Sequence, residues 1–122
     1  MDIVLSKSSE EPIYSQIYSQ ISRQILSGEL KPDTQLPPIR TVAAELRISV
    51  IPVKMAWEEL DRNGFIKTVV GKGTFVAELT EHSINQKKSE KAKEIALEAV
   101  QKAKSEGLGL NELIDLIKEV YK

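Results

Sequence analysis

The sequence predicts a mostly α-helical fold with a small β-hairpin wing, a winged helix-turn-helix followed by a C-terminal two-helix element. Three observations carry this. An isoleucine stripe repeats every four residues near the N-terminus, two short amphipathic segments meet at a tight turn, and two β-branched runs flank a Gly-Lys-Gly tip.

Pro12 suits a helix start, and Ile13, Ile17, Ile21 and Ile25 then share one face with Tyr14, Tyr18 and Leu26 beside them. Gly28 and Pro32 follow in the usual order of stop signals, so a first helix of about four turns is expected. The segment LKPDTQLPPIR holds three prolines and no period. Residues 41–46 can form a short helix with Val42, Ala43 and Leu46 turned inward, and residues 47–49 make the turn. Val53, Ala56, Trp57 and Leu60, spaced i, i+3, i+4 and i+7, mark the inner face of a third helix that Asn63-Gly64 ends. Residues 65–70 and 74–78 read as the strands of a hairpin with a glycine-rich tip.

Residues 1–79 thus form one winged helix-turn-helix unit, and residues 80–88, polar and aperiodic, read as a linker. Residues 89–122 form a helical element. Its first helix, residues 89–106, carries Ala92, Ile95, Ala96, Ala99, Val100 and Ala103 on one side. Gly107 and Gly109 break it, and Asn111 is the expected N-cap of a short last helix striped with Leu113, Ile114, Ile117, Val120 and Tyr121. Two amphipathic helices joined by a glycine turn cannot close a core of their own. The same surface of a second copy is the simplest cover. It would give a two-fold four-helix arrangement in which Ile95, Ala96, Ala99, Val100, Ala103, Leu113, Ile114, Ile117, Val120 and Tyr121 make the dimer contact. Folding back onto the same chain is the alternative.

Composition narrows the function. At 41% hydrophobic and 29% charged residues the chain is an ordinary globular one. It has no cysteine, which excludes disulfides, thiolate zinc sites and a cysteine nucleophile together. No apolar run suits a signal peptide or a membrane span, so cytoplasmic residence and no membrane partner are expected. Residues 1–79 hold 9 Lys and Arg against 10 Asp and Glu, and residues 80–122 hold 8 against 8. Neither half is basic, so any electrostatic footprint for nucleic acid must come from the distribution of charge.

Other features point to structure. Trp57 and the tyrosines sit at helical core spacing, and His82 has neither a cysteine nor a second histidine with which to hold a metal. Glu90, Glu94 and Glu98 align on a helix face, with lysines around them that make it a solvated surface. No catalytic dyad stands out, and neither an enzyme nor a cofactor is expected.

The stretches GELKPDTQLPPIRTVAAEL, VKMAWEELDRNGFI and GKGTFV, in that order between residues 28 and 76, resemble the DNA-binding domain of GntR-type regulators. With only a short helical pair after the wing, the whole resembles the YtrA subgroup. The resemblance implies double-stranded DNA as partner, and a homodimeric repressor on an inverted-repeat operator that controls nearby transporter genes. The chain lacks the aminotransferase-like portion that some relatives carry. A small-molecule effector is compatible with this reading, but the C-terminal helices are too small to enclose a ligand in one subunit, so its site would lie at the dimer interface.

The resemblance also assigns residues. Pro38 ends the stiff Leu36-Pro37-Pro38 approach to the second helix, where Arg40 and Thr41 lie; Arg40 can set a guanidinium on a phosphate beside the helix start, the DNA-backbone role of the family's arginine. Ser49, Val50, Ile51 and Lys54 would point into the major groove from the third helix. Here the chain departs from the family, which commonly has Arg or Asn followed by Thr where Val50, Ile51 and Pro52 stand, and glycine where Arg47 stands. Polar readout is thereby reduced, and Val50 and Ile51 can instead touch thymine methyls. Pro52 offers no N–H to a Ser49 cap and disfavours helical geometry at Ile51, so a late helix start is expected. At the wing, Gly71 and Gly73 allow the turn, Lys72 projects from it, and Lys67 can add a phosphate contact. The rival reading is a winged helix used for protein interaction, motivated by Val50-Ile51-Pro52 and by Glu58, Glu59 and Asp61.

Overall fold

The computed structural model describes all 122 residues, which divide into two units, Met1–Glu81 and His82–Lys122. Within the first unit lie helices α1 (Ile13–Ser27), α2 (Ile39–Leu46) and α3 (Val50–Arg62), then strands β1 (Ile66–Val69) and β2 (Gly73–Val76). The α1 stripe buries Ile17, Ile21 and Ile25 against Val42 and Ala43 of α2, Val53, Ala56, Trp57 and Leu60 of α3, and Phe65, Ile66 and Val76 of the hairpin. Trp57 is core, as its spacing predicts. Tyr18 meets Phe65 edge-on with ring centroids 6.1 Å apart, and the Asn63 side-chain amide donates to the Tyr18 hydroxyl at 2.9 Å.

β1 and β2 pair antiparallel, with Ile66 opposite Val76 and Val69 opposite Gly73. The proline-rich segment before α2 is not a featureless loop. Leu36 N–H donates to Thr74 O at 2.8 Å, Asp33 N–H to Val76 O at 2.9 Å and Val76 N–H to Thr34 O at 2.9 Å, so residues 33–36 run beside β2 and form one isolated antiparallel bridge, Gln35 with Phe75, outside the two-stranded sheet. Its prolines hide it from a sequence pattern, yet none stands at a donating position.

The N-terminal arm is also placed in a way its polar sequence does not announce. Gln16, Gln20 and Gln24, one helical turn apart on α1, clamp its backbone. Gln20 exchanges two hydrogen bonds with Val4 (2.8 and 2.7 Å), Gln16 accepts from Ser6 N–H (2.9 Å) and donates to Ser6 O (3.0 Å), and Gln24 donates to Asp2 O. Ile3 and Leu5, the residues between, pack against the core.

Two expected boundaries move, and the first is the start of α2, which lies at Ile39 and not at residue 41. α3 starts at Val50, not later, because Pro52 occupies its third position, where the missing N–H would have had no helical partner anyway. As expected from Pro52, the Ser49 side chain makes no cap bond. The turn between α2 and α3 is closed by a Schellman motif, Ile48 N–H to Ala43 O at 3.0 Å and Arg47 N–H to Ala44 O at 3.2 Å, with Arg47 in the left-handed region at φ +57°.

The second unit corrects the expected linker. Residues 81–88 are helical, part of α4 (Glu81–Ser105), and α5 spans Leu110–Val120. An apolar period is the usual sign of a helix in a sequence, and a solvated helix needs none. Residues 80–105 contain no proline or glycine, and Glu81 in the first turn suits the helix dipole. Leu108 N–H to Ala103 O and Gly107 N–H to Lys104 O close α4 in another Schellman motif, with Gly107 at φ +94°. The N-cap of α5 is Gly109 and not Asn111, and the Glu112 carboxylate accepts from the Gly109 amide at 3.2 Å. Neither α4 nor α5 contains a buried residue.

Candidate nucleic-acid interface

Three elements of the first unit present the residues singled out from the sequence. At the start of α2, Pro38 is the N-cap and Arg40 and Thr41 lie in the first turn, all exposed. The first helical bond into this turn is Val42 N–H to Pro38 O at 3.1 Å, which leaves the amides of Ile39, Arg40 and Thr41 without helical partners, as an anion site at a helix start requires. Arg40 forms no ion pair. Asp33, an acidic residue nearby in the chain, is engaged elsewhere, with Lys67.

On α3, Ser49, Val50, Ile51 and Lys54 are all exposed, while the opposite face supplies Val53, Ala56, Trp57 and Leu60 to the core. Met55 and Glu58 share the outer face. They continue it at the spacing of one helical turn, which the sequence could have shown. The pair Arg62–Glu59 is internal to the C-terminal end of α3, so that arginine is partly neutralised.

At the wing tip, Lys72 N–H donates to Val69 O at 3.0 Å, and Gly71 takes φ +78°, the third position of a type II turn. Gly71 and Lys72 are exposed. The Gln35 side-chain amide donates to Lys72 O at 3.1 Å, tying the tip to the segment that leads into α2. Gly73 takes φ +122°, a backbone conformation that favours glycine. A Cβ there would stand 2.7 Å from Gln35 Nε2, the movable end of an exposed side chain, so a substitution would displace the Gln35 brace. Neither the Gln35 brace nor the strand-like pairing beside it leaves a mark in residue spacing.

Lys67 is placed differently from its sequence neighbours. Its ammonium lies 2.9 Å from Asp33 Oδ1, so the charge offered for a phosphate already has a partner, in a solvent-exposed pair. The cations left unpaired on α2, the turn, α3 and the wing are Arg40, Arg47, Lys54 and Lys72, and the exposed acids Glu45, Glu58 and Asp61 stand on the same two helices. In the sequence Arg47 reads only as a turn residue, and nothing in its spacing marks it as part of this set. No group of His, Asp or Glu residues is arranged to hold a metal ion, and no helix is long and apolar enough to cross a membrane.

A winged helix-turn-helix with α3 and the wing open to solvent, followed by a helical pair, defines a DNA-binding regulator of bacterial type. Residues 13–76, more than half of the chain, match the family described as bacterial regulatory proteins, gntR family, and the chain belongs to that family. It is 32% identical over 118 residues to the HTH-type transcriptional repressor YtrA of Bacillus subtilis (strain 168), covering 97% of this chain and 91% of that one. A transcriptional antiterminator from Listeria monocytogenes EGD-e superposes with a TM-score of 0.73 at 29% identity, over 100% of this chain and 91% of its own. The DNA-binding domain of AraR in complex with operator ORE1 superposes with a TM-score of 0.52 at 28% identity, over 63% of this chain and 94% of its own. These relatives are transcriptional regulators and not enzymes, and the chain is of the YtrA type.

Proposed function

We propose that this protein is a cytoplasmic homodimeric repressor that occupies an inverted-repeat operator, with α4 and α5 joining the two copies. The observation that carries the dimer is the 36-residue pair itself. In 25 residues of α4 and 11 of α5 no side chain is buried, and Ile95, Val100, Ile114, Ile117, Val120 and Tyr121 are all exposed. An apolar surface of this kind is stable in water only when covered, and a second copy offers the matching surface by symmetry. Ala96, Ala99 and Ala103 would let the helices approach closely at the contact.

The DNA reading rests on the family and on the exposure of Pro38, Arg40, Thr41, Ser49, Val50, Ile51, Lys54, Gly71 and Lys72. In this reading Arg40 and Lys72 hold phosphates, while the N-terminal turns of α3 meet base edges. Lys67 joins them only if it leaves Asp33. Four unpaired cations per subunit bind weakly alone, so two half-sites held by one dimer supply the affinity. Control of neighbouring transporter genes follows from the resemblance to the YtrA subgroup. An effector, where one acts, would bind between the copies.

Selection from a pool of random duplexes at low and at moderate salt tests the reading. Enrichment of an inverted repeat, bound as two chains per duplex, is the expected result. Retention of nothing, even at low salt, would overturn it in favour of a protein-interaction module, for which the exposed Val50 and Ile51 beside Glu58 and Asp61 would then be the contact face.

A further inference from the structure

Two β-branched side chains open α3 and face solvent. Val50 is 43% exposed and Ile51 65% exposed, at the first two positions of α3, while the core draws on the helix's other side. The N-terminal residues of a recognition helix are the ones that reach base edges. Neither side chain carries a donor or an acceptor, so neither can pair with the polar groups of a base. The one apolar group on the major-groove edge of the standard bases is the C5 methyl of thymine. Helical χ1 restriction also holds both side chains nearly fixed, which lowers the entropy lost on docking.

We propose that this protein reads the 5-methyl group of a pyrimidine through Val50 and Ile51, and that this methyl contact is a main determinant of its operator preference. The inference rests on the operator-binding reading and names what that site recognises. Because the contact is apolar, it separates thymine from uracil and 5-methylcytosine from cytosine, and it does not depend on the hydrogen-bonding groups of either base. Methylation of a cytosine at this place in a half-site therefore strengthens binding.

The test uses the full chain and the inverted repeat enriched from the random pool. Each thymine of a half-site is replaced in turn by uracil, which removes the methyl and keeps every hydrogen-bonding group. At one or two positions the wild type is expected to lose about fourfold in affinity per methyl, the burial value of one carbon. Ile51→Ala, an exposed change that leaves the core untouched, is expected to bind more weakly and to lose the thymine preference at one of them. Where a G·C pair replaces A·T at that position, 5-methylation of the cytosine is expected to raise wild-type affinity by a similar factor. Uracil tolerance at every position, a preference retained in full by Ile51→Ala and Val50→Ala, or indifference to cytosine methylation would overturn the methyl reading while leaving operator binding standing. Failure to enrich any sequence would overturn both.

Discussion

Lys67 Nζ lies 2.9 Å from Asp33 Oδ1, joining the first strand of the wing to the segment that flanks the second. Both side chains are at least half open to solvent, at 50% and 67% exposure, so the pair adds under about 1 kcal/mol to stability. Its larger effect is electrostatic. It pairs one cation of the wing surface proposed to face DNA.

Asp33→Asn tests this. Asp33 sits at φ +64°, a conformation that asparagine adopts at least as readily, so the backbone is kept while the charge is lost. Stability is expected to change by less than about 1 kcal/mol. Affinity for DNA should rise, and the slope of log K against log salt should steepen by about 0.9 for each released Lys67. Titrations at several salt concentrations check it, and an unchanged slope would mean that Lys67 stays away from phosphate even when free.

Arg40→Ala and Lys72→Ala are expected to weaken binding to all duplexes about equally and to flatten the same slope by about one unit for each phosphate no longer neutralised. If all four unpaired cations of each subunit reach phosphates, a dimer has a slope of about −7 at the steepest. A sequence-dependent loss on Lys72→Ala would move that residue from backbone holding to base reading.

Arg47 closes the turn between α2 and α3 from a left-handed conformation at φ +57°. A side chain there costs about 1–2 kcal/mol that glycine does not. Arg47→Gly is therefore expected to stabilise the protein by about 1 kcal/mol, less than the full strain because glycine also loses more entropy on folding. Thermal unfolding should shift upward by several degrees, on the order of 4 °C or more for a unit of this size. The same variant should bind DNA less steeply with salt if the guanidinium reaches a phosphate.

Ile117→Asp places a charge in the middle of the exposed α5 stripe. In a dimer held by that stripe, an uncompensated buried carboxylate costs about 3–5 kcal/mol, enough to weaken association by more than a hundredfold. Light scattering at micromolar concentration should find two chains in the wild type and one in the variant. The fluorescence of Trp57 should be unchanged, since the core around it includes no residue of α5.

The element order was legible because each buried helix writes its packing face into its spacing. Ile17, Ile21 and Ile25, then Val53, Ala56, Trp57 and Leu60, are buried as their periods require. The start of α4 was not legible, because residues 81–88 are polar on nearly all sides and a solvated helix leaves no period to read. Arg40, Val50, Ile51 and Lys72 could be picked out by motif, and Met55 and Glu58 by extending the same helical face. Gln35, the Gln16-Gln20-Gln24 clamp and the Asp33–Lys67 pair could not, since each joins residues through folded distances that no local spacing encodes.

By itself the sequence determined the winged helix-turn-helix, the two apolar stripes at its C-terminal end and the departure at Val50-Ile51-Pro52, because periodicity, glycine and proline act locally. Only the tertiary structure decided which cations remain free. Asp33 and Lys67 lie 34 residues apart and are brought to 2.9 Å by strand pairing, whereas Arg40 is left without a carboxylate partner. Charge pairing depends on distance in space, and the chain order fixes that distance only after the core has closed.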